Sequence, residues 1–339
     1  MNEHFDLEER LEYLQRFGDF CMAYSTLQPG LNYFDVPDTG YIAYISNTNF
    51  IPFANDITIA FFDPVSEKGE AKKELLENFI QTFKNPLFVQ VHEETAEMLH
   101  DIGYNVNHFG IETDVSVQDF KVKGDKMRAV KKGIKTGQKK GMYICELTTE
   151  MNDEERKRLF SQMKEISENW MSTKNVDDKE VRYIIRPAVY DDERFVRKFF
   201  VKNSEDLVEG FSFYDPIFSK GEIIGYTPSV ARFAPVSFKG INYFTNVEVM
   251  NKFKEEGIQH LNLGLSPFYK VPEEETRGSG FLNFVFSNLF KYGEKIYNAK
   301  GLAEHKRQYR SKELPVYLAS KRKVPLVQVG SGFRYCNVI

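Results

Sequence analysis

Between Lys121 and Lys140 the chain sets Lys121, Lys123, Lys126, Arg128, Lys131, Lys132, Lys135, Lys139 and Lys140 against one acid, Asp125. Cations at that density on a helix can follow a row of phosphates. The block is therefore a candidate contact for an RNA backbone or for anionic head groups, with a solvated helix face as the alternative. Arg232 offers a planar fork that can clamp a phosphate or a carbonyl, or make an ordinary surface ion pair. Lys306 stands in a second basic segment and can hold a phosphate. Glu180 and Lys174 are types that orient an ammonium or move a proton when burial raises a carboxyl pKa; an exposed pair is the alternative. Other chemistries find no motif. No Gly-x-Ser-x-Gly or Cys–His nucleophile arrangement stands out. His92, His100 and His108 recur at intervals of eight but fall on different predicted elements, which argues against a metal site. Cys21, Cys145 and Cys336 are far apart and odd in number, so neither a disulfide framework nor a zinc set is expected.

These groups need a scaffold, and the composition can build one. The chain has 339 residues, 42% of them hydrophobic and 14% aromatic, enough for two cores of ordinary size. Apolar runs such as 57–62 and 284–290 are far shorter than the roughly 18 residues that would span a bilayer. The acidic N-terminus lacks the pattern of a signal peptide, so a cytoplasmic protein is expected, possible contact with the inner membrane face included. Net charge is −4, which makes the basic block a local feature rather than a general one.

Patterning predicts a helix over 7–24, strands at 41–46, 57–62 and 87–91, and helices at 69–83 and 93–102. A strand at 107–117, the basic helix 126–140 and a strand at 142–147 close the first half. The second half opens with a helix over 152–171. Strands at 182–190, 197–201, 207–213 and 222–226 follow, then a helix at 244–256, a strand after Gly257, a helix at 280–297 and a last strand near 316–323. Phe61-Phe62-Asp63-Pro64 and Phe213-Tyr214-Asp215-Pro216 each read as an aromatic strand ended by Asp-Pro, which suggests one fold repeated. The expected units are 1–148 and 149–339.

An antiparallel meander followed by helix, strand, helix and strand is the layout of GNAT-type acyltransferases. The expected fold class is α/β (α+β), two tandem GNAT-like domains, each a mixed, mostly antiparallel sheet flanked by helices. Such a fold splays two central strands and opens a slot for an acceptor and an activated acyl group. The GNAT pyrophosphate loop is only partly matched, by Gln138-Lys139-Lys140-Gly141 and by Arg277-Gly278-Ser279-Gly280, and the missing final small residue argues against acetyl-CoA.

Several segments in one order resemble the C-terminal catalytic region of lysylphosphatidylglycerol synthetases, over roughly residues 40–320. They are Phe62-Asp63-Pro64-Val65; Leu99 to Gly103 with Phe109-Gly110-Ile111-Glu112; Asp119 through Arg128 to Gly141; and Trp170 with Lys174 and Glu180. Then come Glu209-Gly210-Phe211, Arg232 with Pro235, Leu261-Asn262-Leu263-Gly264-Leu265-Ser266-Pro267, and Gly301-Leu302 with Lys306 and Tyr317-Leu318-Ala319. The resemblance implies transfer of an aminoacyl group from aminoacyl-tRNA to an acceptor, usually a phosphatidylglycerol hydroxyl, through a tunnel between two domains and without metal or other cofactor. Soluble relatives aminoacylate small metabolites. On this resemblance Lys126, Arg128, Lys131, Lys132, Lys135 and Lys139 are tRNA-binding candidates, and Lys174, Lys306, Tyr309 and Tyr317 bind substrate. Glu180, Arg232, Asn262 and Ser266 are catalytic candidates; Asn262 and Ser266 flank the expected splay and can donate to a developing oxyanion, although Ser266-Pro267 equally makes a turn. The chain also departs from the family. Its Asp-Leu-Met-Arg box reads Ser229-Val230-Ala231-Arg232, and Gln308, Glu313 and Val316 replace a lysine, a tryptophan and an arginine. The transferred amino acid and the choice of lipid or soluble acceptor, with hydroxyl or amine nucleophile, therefore stay open. An acyl-CoA-dependent N-acyltransferase and a non-catalytic tRNA- or lipid-binding protein are the alternatives.

Overall fold

Residues 4–47, 57–172, 181–274, 276–295 and 297–338 are described by the structure, a computed structural model. Lys174 and Glu180 lie outside the described residues. Helix α1 (Leu7–Phe17) starts at Asp6, which accepts from Glu9 N while the Glu9 side chain accepts from the Asp6 backbone. Strands β1 (Asn32–Val36), β2 (Gly40–Asn47), β3 (Ile57–Phe61) and β4 (Val65–Ser66) follow, then α2 (Glu70–Thr82), β5 (Leu87–Val91), α3 (Glu93–Asp101) and β6 (Asn105–Ser116). The basic helix α4 (Arg128–Lys139) leads to β7 (Tyr143–Glu146), α5 (Asp153–Ser172) and the meander β8 (Arg197–Lys202), β9 (Val208–Ser219) and β10 (Glu222–Phe233). Helix α6 (Ile241–Glu255), β11 (His260–Pro267), α7 (Gly280–Tyr292), α8 (Ala299–Arg307), β12 (Lys312–Ser320) and α9 (Leu326–Tyr335) complete the order.

All twelve strands of the described residues join one open sheet ordered β1-β2-β3-β5-β12-β6-β11-β10-β9-β8-β7, with β4 beside β2. Only the β3–β5 and β10–β11 neighbours are parallel; the rest are antiparallel. The mixed α/β class with a mostly antiparallel sheet and flanking helices is as expected. The centre, however, is interleaved. β12, from the C-terminal end, runs between β5 and β6 and pairs along the length of Lys312–Ser320, while β6 separates β12 from β11. Strand pairing also crosses residue 148 through β7 and β8. The parallel neighbours β10 and β11 pair only at Gly225–His260 and Tyr226–Leu261 and then part, and Thr227, Ser229, Leu263 and Leu265 beyond the last pair line a cavity, so the expected splay of two central strands is present. Bulges shape the neighbouring strands. One lies in β5, where Val89 and Val91 face the adjacent Leu318 and Tyr317, and another in β11 between Asn262 and Leu265. Bulges bend the strand and re-aim side chains, which is what a site at the sheet centre requires.

Three expectations change. Residues 182–190 form no strand: the Tyr183 N–H donates to Gln28 Oε1 at 2.7 Å and its carbonyl accepts from Gln28 Nε2 at 2.9 Å, so a side chain replaces a ladder. Asp215-Pro216 does not end its strand, since β9 runs on to Ser219. The ladder with β8 stops at Tyr214, so the missing N–H of Pro216 faces no strand on that side. Strand β1 and helix α9 add to the predicted elements, and α7 stops at Tyr292, short of 297.

The basic helix shows its local logic plainly. Val130, Gly133 and Gly137 make its buried stripe against α6, while Lys131, Lys132, Lys135 and Lys139 are exposed. A Cβ on Gly137 would stand 2.3 Å from the Phe244 ring, and one on Gly133 2.7 Å from the Gly240 carbonyl. The helices approach too closely for any larger residue. On the far side of the meander, Leu159, Met163 and Ile166 of α5 cover Phe200, Phe211 and Phe213, each buried side chain contributing about 2 kcal/mol.

Candidate active site

Glu112 lies at the centre of the sheet on β6 and is wholly buried. Its Oε1 accepts from Gln90 Nε2 at 2.9 Å, and its Oε2 from Asn262 Nδ2 at 3.3 Å. His92 Nε2 lies 3.1 Å from that same oxygen, and its Nδ1 meets Asp63. His92 follows β5 and precedes α3, Asp63 follows β3, and the parallel β3–β5 pair brings the two together. The His92 backbone N–H also donates to Asp63 Oδ1 at 3.1 Å. Burial opposes charge on the imidazole, yet the Glu112 and Asp63 carboxylates together push its pKa well above the ordinary value. The imidazolium in turn overrides burial at Asp63 and holds that carboxyl down at about 2, and it lowers Glu112 as well. The result is a fixed cation between two fixed anions.

Two cavities approach this cluster. Adjacent residues of a strand point to opposite faces, and on β11 Asn262 lines one cavity while Leu263 and Gly264 line the other. The one lined by Leu263 and Gly264, about 270 Å³, is walled by α6, α7 and α8 through Asn242, Leu289 and Leu302 and is mostly apolar. Gln90 and Lys306 mark its polar spots. The other, about 400 Å³, is walled by α3 and holds Asp63, His92, Asp114 and His260.

Lys306, buried on α8, donates to the Leu265 carbonyl at 2.7 Å. No carboxylate pairs with it among the described residues, and burial lowers its pKa to about 7 against the weaker pull of Cys21 and Glu112. Beside it His305 is lowered to about 4, first by burial and then by Lys306. Asn262 spends its donor on Glu112, and its Oδ1 accepts from the Gly264 N–H at 2.8 Å. Ser266 is buried with no partner for its Oγ among the described residues. The Tyr309 hydroxyl accepts from Asn246, which lines the apolar cavity, at 3.0 Å. The Tyr317 ring lies under Arg277 at 4.8 Å, next to Glu93 of the cavity beside α3.

Asn262, Ser266 and Lys306 thus gather at the sheet centre. Arg232 does not line either cavity: it is buried against α5, bonded to Ser167 and to Tyr190 at 3.1 Å, with its guanidinium 5.3 Å from the Trp170 ring. Lys126, Arg128 and the lysines of α4 are exposed on the outer face of that helix. Ser229, where the family box has an acid, bonds to Asp215 at 2.9 Å, so a carboxylate reaches that spot from β9. Sequence reasoning missed Gln90, His92 and Glu112, and took Asp63 for a strand terminator. The available signal was a polar side chain inside strands that otherwise read as buried, as in Leu87-Phe88-Val89-Gln90-Val91.

The family model described as phosphatidylglycerol lysyltransferase, C-terminal, matches residues 11–320. An uncharacterized protein of Corynebacterium glutamicum is 20% identical over 98% of this chain, and the chain spans only 41% of that relative's length. Among solved structures, the C-terminal DUF2156 domain of a protein assigned as a lysylphosphatidylglycerol synthetase from Agrobacterium fabrum superposes with a TM-score of 0.76. It is 19% identical, with 97% of this chain and 95% of that one covered. The L-PGS structure from Bacillus licheniformis gives 0.74 at 18% identity, covering 96% and 95%. FemX gives 0.54 at 10% identity, covering 96% and 98%. The structural likenesses establish the fold, and the sequence match over nearly the whole chain carries the assignment: the chain belongs to the phosphatidylglycerol lysyltransferase C-terminal family, a family of acyltransferases.

Proposed function

We propose that the protein moves an aminoacyl group from aminoacyl-tRNA to a hydroxyl of an anionic glycerolipid of the phosphatidylglycerol type, working at the inner face of the membrane. The observation that carries this reading is the apolar cavity between α6, α7 and α8, which ends at the buried, carboxylate-free Lys306. Helix α7 borders that cavity through Leu289 and exposes Phe281 and Phe284 on its outer side, a surface suited to acyl chains. No helix of the described residues is long and apolar enough to cross a membrane, so the reading is one of peripheral contact. The same reading divides the chain near residue 148 into two acyltransferase-like units and assigns the cations of α4 to the phosphates of the donor.

An aminoacyl ester is already activated, so the chain need only align and exchange protons. The acceptor oxygen attacks the ester carbonyl, its proton passes to the Lys306 amine, and the carbon–ribose oxygen bond breaks. Lys306 then returns the proton to the leaving ribose oxygen. A pKa of about 7 suits both transfers. The test incubates the purified protein with phosphatidylglycerol vesicles and a pool of charged tRNAs, and follows label into lipid. Label in the lipid supports the reading. Label released only with a soluble acceptor moves the acceptor class, and tRNA binding without turnover overturns it.

A further inference from the structure

Gln90 is the odd residue of β5. Its φ is +59, in the left-handed region that residues other than glycine enter only under strain. It is the extra residue of the bulge, since Val89 and Val91 face Leu318 and Tyr317 and Gln90 faces nothing across β12. The side chain is 1% exposed. Glu112, ionised beside the imidazolium, can only accept, so the amide must turn its Nε2 toward that carboxylate. The amide oxygen is thereby forced the opposite way. There, among the described residues, no group donates to it, and a buried acceptor without a donor carries an uncompensated desolvation cost. The strained backbone and the orphaned oxygen fall at one position, and that position lines the apolar cavity.

We propose that Gln90 Oε1 seats the acceptor: it is a hydrogen-bond-accepting subsite for a neutral hydroxyl of a polyol. The choice of hydroxyl over ammonium comes from the walls. Arg186 and Lys306 line the cavity, and no carboxylate does among the described residues. Arg186 is already paired with Asp215 and Glu193, so an incoming ammonium would find no free carboxylate on the walls and would face Lys306, whose partner is a carbonyl. One hydroxyl of a diol can donate to Gln90 Oε1 while its neighbour, the attacking one, donates its proton to the Lys306 amine. The subsite deepens the transfer reading, from which the word acceptor comes, but its binding can be measured without turnover.

The probe is glycerophosphoglycerol, the deacylated head group, titrated calorimetrically into wild type, Gln90→Met and Gln90→Gly. The methionine keeps the volume and removes the acceptor; the glycine fits the left-handed backbone, so folding is protected if the methionine variant misfolds. Both variants should bind at least about tenfold more weakly. Glycerophosphoethanolamine, which carries an ammonium, should bind wild type at least about tenfold more weakly than the diol. Equal affinity across the three proteins, or no binding to wild type, overturns the subsite, and equal affinity for the two head groups overturns the preference for hydroxyl. Gln90-dependent binding by a wild type that moves no aminoacyl group supports the subsite and retires the transfer reading.

Discussion

The two cavities share walls in β10 and β11 but keep their charges differently. On the α3 side the acids stand in pairs: Asp19 with Lys68, Glu94 with Lys72, Glu93 with Arg277, Asp114 with His260, and Asp63 with His92. On the α6 side Arg186 is committed to Asp215 and Glu193, and Lys306 has a carbonyl for a partner. A paired buried charge is costly to disturb and contributes to holding the scaffold. A buried donor or acceptor without a partner is a standing cost that a ligand can relieve. The difference teaches that substitutions on one side should appear as lost stability, and on the other as lost chemistry.

Four experiments can break that division, and the harshest is Glu112→Ala. It removes the acceptor of Gln90, Asn262 and His92 together and leaves a buried imidazolium with one anion. Denaturant unfolding should show a loss of about 4 kcal/mol. A loss under 1 kcal/mol would mean the cluster is not structural. Lys306→Met should do the reverse: transfer falls by about 100-fold or more, with the unfolding midpoint nearly unchanged or raised. Wild-type kcat/KM should climb with pH through about 7 as the amine deprotonates, and the variant's profile should be flat there. A variant that loses stability and activity in proportion would erase the contrast.

Acid titration sharpens the paired side. The Asp63 carboxyl is held at about 2 against an ordinary 3.8, so its stabilisation is complete above 3.8 and lost as pH falls through 2. That amounts to about 2 kcal/mol. His92 runs oppositely: its raised pKa stabilises below 6.5, and that contribution fades as pH climbs through the folded-state value. Thermal melts at pH 2 and pH 5 should differ less in Asp63→Asn than in wild type. The smallest effect concerns the outer surface. Replacing Lys131, Lys132 and Lys135 with Glu should weaken tRNA binding about tenfold and flatten its salt dependence, leaving the fold intact. Because α4 packs on α6, whose Asn242 and Asn246 line the apolar cavity, binding to anionic vesicles must be measured alongside. A drop confined to vesicles would reassign that helix from RNA to lipid.

Much of the scaffold was legible because it follows from local pattern. The apolar stripe Val130-Gly133-Gly137 sets α4 and its exposed cations, and Gly257 ends α6 before β11. Alternating aromatic residues give β8, β9 and β10, although Pro216 hides the length of β9 because its tolerance depends on where β8 stops. The site was less legible. Lys306, Asn262 and Ser266 came from a resemblance, and the geometry brings them to the sheet centre. Arg232 came the same way and sits under α5. Gln90, His92 and Glu112 carried no spacing signal, because residues 90, 92 and 112 share no element.

Composition, periodicity and motif order were enough for the fold class, the family and the exposed basic helix, since each is written in neighbouring residues. The insertion of β12 between β5 and β6, the bulge that turns Gln90 toward a cavity, and the sorting of charges onto two faces all depend on contacts between residues far apart in the chain. Burial and hydrogen-bond partnership are properties of the assembled sheet, and a pKa of 7 on a lysine exists only once that sheet has excluded water.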